Sequence, residues 1–264
     1  RSKPSIDEMN RLKEGERAKS IWSIQPGIGG YFREQSLSVW DAERNEWVEP
    51  SYTYIDPVFV PLCEQEDQTK QDSHRMNTVI QSSVPAGEWT GIPTLLTHGI
   101  HKIEAENRSY KIKQDQNGDC VILVDGIAGE FVSVKITLAP MADKTFGPYD
   151  PKKIKVPNMP ASFCSETEEA LRKVAEKRGV IARAYGCASY SATRLIYPLN
   201  YSNKEGINDI YDAHPDGYFA AIEEYRQADC DVGNTYFAAL CARLQIPVRH
   251  VVGHSVKGLD EQGA

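Results

Sequence analysis

The hydrophobic period of this chain changes once along its length, and that change limits it to a fold with a strand-rich half and a helical half. From about Ile21 to Leu138, short β-rich runs such as Leu37-Ser-Val-Trp40 and Phe131-Val-Ser-Val-Lys-Ile136 alternate with turn residues. The clearest unit is Tyr110 to Gln116, then Asn117-Gly118, then Asp119 to Asp125, because Asn-Gly supplies the positive φ angles of a tight hairpin turn. Residues 21–139 are therefore expected to form an antiparallel, β-sandwich-like domain after an N-terminal segment, 1–20. Pro140 to Pro160 has no periodicity and reads as a linker, 140–160.

Helical spacing takes over in 161–264. Ser165-Glu-Thr-Glu168 is a capping box, followed by the apolar stripe Ala170, Leu171, Val174 and Ala175, with Gly179 as a stop. A second helix is expected from Pro215 to about Arg226. A third runs from about Asp231 to Leu244, with Val232, Tyr236, Phe237, Leu240 and Leu244 on its buried side. Pro247 to Gly253 reads as a buried strand that begins on its proline. The class is α+β.

Composition excludes several functions. The chain has 264 residues, 41% of them apolar and 25% charged, which is the profile of a globular protein. A formal charge of -7 with no basic stripe argues against a nucleic-acid partner, and no window has the ~18 apolar residues of a membrane span. The chain opens Arg-Ser-Lys-Pro, which predicts a processed form and leaves localisation open. Six cysteines without a C-x-x-C pair suggest neither a disulfide scaffold nor structural zinc. No cofactor or metal is expected: His98 and His101 lack an acidic partner at ligand spacing and read as a turn, Pro26 to Gly30 lacks the lysine of a phosphate loop, and Asp115 to Asp119 lacks the twelfth-position glutamate of a calcium loop.

The chemistry-bearing feature is Ala228-Asp-Cys230 ahead of the third helix. A cysteine there sits among unpaired amides and the positive end of the helix dipole, which favour thiolate and can also bind an oxyanion. Asp229 and Asp231, if close and unpaired, oppose that gain. Gly118-Asp-Cys120 leads into Val-Ile-Leu-Val, a strand, so Cys120 reads as structural. Cys241 lies roughly 16 Å along the helix axis from Cys230, at about 1.5 Å per residue, too far to pair with it.

The stretch Asp229 to His254 resembles the transglutaminase/protease superfamily core at Asp229-Cys230, Leu240, Arg243-Leu244, Ile246-Pro247, Arg249, Val251 and Gly253, and more weakly upstream to Ser165. Ala228 and Gln245 replace usual glycines, and His250 replaces an aromatic residue. The resemblance implies a papain-like/transglutaminase-like α+β core, with Cys230 as nucleophile and Tyr201 as a candidate second oxyanion donor. It places the catalytic histidine and aspartate some dozens of residues past the cysteine. Only 34 residues follow Cys230, so an incomplete core with its partners on a continuation is expected. His250 and His254 map to the preceding strand, which favours packing roles for both, with His254 kept as a candidate base. The implied function is thiol acyl transfer to water or to an amine, on a protein or peptide substrate. The alternative is a binding or scaffold protein that retains the fold without the chemistry.

Overall fold

The computed structural model describes residues 23–25, 30–48, 50–55, 77–95, 98–115, 118–140, 155–196 and 211–256. It is a mixed chain of many antiparallel strands and, among the described residues, four longer helices, divided into two compact units. One unit comprises Leu37–Glu49 with Asp150–His250; the other comprises Pro50–Tyr149 with Arg11–Ser36 and Val251–Ala264. The first 22 residues, with the whole of the expected N-terminal segment 1–20, the phosphate-loop-like Pro26 to Gly29 and most of the expected linker lie outside the described residues.

The strand unit contains two four-stranded sheets. The first has the order β1 (Ser23–Gln25), β6 (Thr78–Pro85), β11 (Phe131–Pro140), β8 (His98–Glu104). The second has the order β5 (Tyr52–Ile55), β9 (Tyr110–Asp115), β10 (Cys120–Val124), β7 (Trp89–Gly91). β10 alternates buried and half-buried residues along its length, as a strand with one face on a core must. Ile80, Val84, Ile100, Val134, Ile136 and Leu138 from the first sheet join Ile112, Ile122 and Val124 from the second in one buried cluster. Each fully buried side chain of this size contributes about 1.5–3 kcal/mol.

The 110–124 hairpin forms, with Cys120 opposite Gln114 and Val124 opposite Tyr110. Its closing pair is Asp115 and Asp119, whose N–H and C=O bond at 2.9 Å, so three residues lie between the closing pair. Gly118 takes the left-handed conformation (φ 86°) of such a loop, and Asn117 lies outside the described residues. His98 and His101 stand on strand β8, which replaces the turn expected for them; alternation puts them on opposite faces of the sheet. In the same unit β2 (Gly30–Leu37) pairs with β12 (His250–Val256). β12 begins three residues later than Pro247, and Val251 and Val252 are exposed rather than buried, because this sheet has only two strands among the described residues. A Cβ at Gly253 would stand 1.9 Å from the Phe32 carbonyl oxygen, so only glycine allows the two backbones this approach.

The helical unit holds α1 (Ser165–Ala175), α2 (Val180–Arg194), α3 (Tyr218–Tyr225), α4 (Cys230–Arg243) and the hairpin β3 (Val39–Asp41) with β4 (Glu46–Val48). The helix α2 was not foreseen: Val180, Ile181, Gly186 and a run of Ser and Thr give it weak intrinsic propensity, and tertiary contact supplies the rest. Gly186 packs so closely on Val174 of α1 that a Cβ there would lie 2.9 Å from it. Gly179, at φ 88°, caps the start of α2 instead of stopping α1, which already ends at Ala175. The helix α3 begins at Tyr218 after Gly217 (φ 93°), three residues past Pro215.

The unit centres on α4, where Val232, Tyr236, Leu240 and Cys241 are buried along with Ala238, Ala239 and Ala242. Phe237 and Leu244, expected in the core, are half-buried at its margin. Small residues let the neighbouring helices approach α4 closely. Its C-terminus is a Schellman motif: the Gln245 N–H donates to Ala242 O and the Ile246 N–H to Cys241 O, both at 2.9 Å. Gln245 adopts the left-handed conformation (φ 56°) for which glycine is the common residue, so the motif forms here without one.

Candidate functional site

Cys230 is the first residue of α4 and is exposed. Asp229 caps the helix, its carboxylate accepting the Val232 N–H at 3.0 Å. The segment before it is anchored to the residues after α2: Ile196 N–H donates to Arg226 O at 2.7 Å and Ala228 N–H to Ile196 O at 3.1 Å. The Tyr211 hydroxyl holds the Gln227 carbonyl, and Ala228 is buried, which explains why a small residue suits that position. These contacts fix where the thiol stands.

The electrostatic balance at that thiol is unfavourable. Partial burial, then the charges of Asp231 and Asp229, push the Cys230 thiol above the ordinary range, while the amides of Cys230 and Asp231 pull it down without prevailing. Burial comes first, the two flanking carboxylates add to it, and the two amides do not offset the sum. Asp231 also stands 3.8 Å from the Nε2 atom of His250, a buried imidazole 5.4 Å from the ring of Trp47. Trp47 in turn donates from Nε1 to the Thr235 hydroxyl of α4 at 3.0 Å. His250 thus sits against Asp231 and the β4 tryptophan. His254 belongs to β12 but its side chain lies outside the described residues, as does Tyr201.

The other thiols differ. Cys120 is buried and its thiol is pushed up to about 11, chiefly by that burial. Cys187 of α2 and Cys241 of α4 are fully buried and hydrogen-bonded to each other; that contact and burial push Cys241 up. Cys164 is exposed.

Sequence reasoning missed Glu223. This buried carboxylate on α3 accepts the Cys164 N–H, the Thr167 hydroxyl of α1 and, at 2.8 Å, the Tyr236 hydroxyl of α4. It ties three helices at one point and displaces the expected capping box. Cys164, not Ser165, is the N-cap of α1 and makes no side-chain cap, because Glu223 holds the chain there. The only sequence signal was a glutamate between Ile222 and Tyr225 on a short helix. A depression of about 340 Å³ opens beside it, lined by Phe163, Cys164, Arg194, Ala220, Glu223 and Glu224 among others. A second of about 200 Å³ includes Trp40, Asn45, Asp212 and Tyr218. Cys230 lines neither. No group of three or more possible metal ligands occurs among the described residues.

No family model matches the chain, and no curated protein matches it. Among solved structures it is similar to the periplasmic domain of TgpA from Pseudomonas aeruginosa, with a TM-score of 0.51 over 96% of this chain and 80% of that one. At 10% identity this likeness supports a transglutaminase-like fold and nothing finer.

Proposed function

We propose that this chain is a thiol acyl-transfer enzyme, a protease, amidase or transglutaminase, acting on a protein or peptide through Cys230. The observation that carries the reading is the placement of an exposed thiol as first residue of a buried, aspartate-capped helix. In this reading the strand unit is a β-sandwich and the helical unit a papain-like core. The Cys230 sulfur attacks a carboxamide or peptide carbonyl, and the N–H groups at the start of α4, with the Tyr201 hydroxyl as second donor, bind the developing oxyanion. The amine leaves with a proton, and water or another amine resolves the thioester. His254 is the candidate base within the chain.

The alternative, a binding or scaffold protein that keeps the fold, draws on the raised Cys230 thiol, since a nucleophile works best when ionised near neutral pH. Incubation with an activated acyl ester followed by peptide mass mapping separates the two. Acyl-enzyme should accumulate on Cys230 and vanish in Cys230→Ala. Acylation spread evenly over the exposed thiols, or confined to Cys164, would leave the scaffold reading in its place.

A further inference from the structure

The other exposed thiol of the helical unit, Cys164, has a setting of its own. Its sulfur accepts a hydrogen bond from Nη2 of Arg194 at 3.5 Å and lies 3.5 Å from the Thr167 hydroxyl. Arg194 comes from the last turn of α2, and its side chain is only 8% exposed. Nη1 donates to Glu166 at 2.6 Å, but Nε is buried with no acceptor. Buried donors are almost always paired, so this one marks an unfilled position. Cys164 and Arg194 both line the depression of about 340 Å³, the size of a small-ligand site, with Phe163 and Ala220 as apolar wall. The two carboxylates in that wall are already engaged: Glu223 accepts two hydroxyls and an amide, and Glu224 pairs with His214 at 3.1 Å. What the depression has to offer is a reachable sulfur and a cationic donor.

We propose that Cys164 is a modification site for small disulfides bearing a carboxylate, with the guanidinium of Arg194 selecting the carboxylate. The Cys164 sulfur, after giving its proton to solvent, attacks one sulfur of the disulfide. A new S–S bond forms as the original one breaks, and the departing sulfur leaves as thiolate and takes up a proton, so no further oxidant is needed. Cys230 is the internal contrast. Its flanking Asp229 and Asp231 repel the same reagent, so the two thiols that are exposed among the described residues have opposite charge preferences.

The test uses the full chain with two reagents, bis(carboxymethyl) disulfide and the cationic cystamine, and quantifies the adduct on each cysteine by peptide mass mapping. Cys164 should take the anionic reagent first of all the cysteines, and its anionic-to-cationic rate ratio should exceed that of Cys230 by about tenfold, the worth of one charge-assisted contact. Arg194→Gln should abolish the preference at Cys164 and leave that of Cys230 unchanged. Glu166→Gln, which releases the guanidinium from its present partner, should raise it, and this variant decides the matter if Arg194→Gln does not fold. The proposal is overturned if the ratio at Cys164 is the same in wild type and both variants, or if another cysteine takes the anionic reagent first.

Discussion

Replacing Glu223 by alanine removes the acceptor shared by the Thr167 hydroxyl, the Tyr236 hydroxyl and the Cys164 amide. Cys164 is near solvent, and Thr167 keeps the Tyr190 hydroxyl at 2.7 Å, but Tyr236 is fully buried and loses its carboxylate acceptor, keeping only the Thr167 hydroxyl, which has lost the same acceptor. A buried donor left unsatisfied costs about 1–3 kcal/mol, and the half-satisfied Thr167 and the lost packing of the side chain bring the total to roughly 3–5 kcal/mol. That is a large share of the ~5–15 kcal/mol by which domains are stable. Urea unfolding of wild type, Glu223→Ala, Tyr236→Phe and the double variant measures it. Tyr236→Phe should cost far less in the Glu223→Ala background than in wild type, a coupling of at least about 1 kcal/mol, because it removes the stranded hydroxyl. A loss below about 1 kcal/mol for Glu223→Ala, or equal costs of Tyr236→Phe in both backgrounds, would refute the claim that this carboxylate binds three helices together.

Leu240→Ala, at a fully buried position of α4, should cost about 2–5 kcal/mol in the same assay, and Phe237→Ala clearly less, since Phe237 is half-buried. Asp231→Asn removes a charge that pushes the Cys230 thiol up, so the pH midpoint of Cys230 alkylation by iodoacetamide should move down and the rate near neutrality rise; an unmoved midpoint would show that Asp231 is too well solvated to matter. Cys120 is held protonated up to about 11 in the folded chain against an ordinary 9.0, so the unfolded chain loses this proton first. Stability should therefore fall as pH rises from about 9 to 11, by at most roughly 2.7 kcal/mol from this group, and Cys120→Val should flatten that part of the stability profile.

Local pattern was enough for the features that short segments control. The strands of the 110–124 hairpin, the helix that starts at Cys230 and the division into strand-rich and helical stretches follow from side-chain period and turn chemistry, which neighbouring residues settle among themselves. Tertiary structure decided the rest. The helix α2 exists against weak propensity because Gly186 and Cys187 pack on α1 and α4, and α1 starts at a cap chosen by Glu223, 59 residues away from Cys164 in sequence. Trp40 and Trp47 belong to the helical unit although their hairpin lies within the strand-rich stretch, a placement set by aromatic contacts with Tyr218 and Phe219 and by the bond to Thr235. The Cys230 thiol likewise turns on a sum that no spacing rule contains: the helix amides were visible in the sequence, but whether they outweigh two carboxylates and partial burial depends on distances that only the folded chain sets.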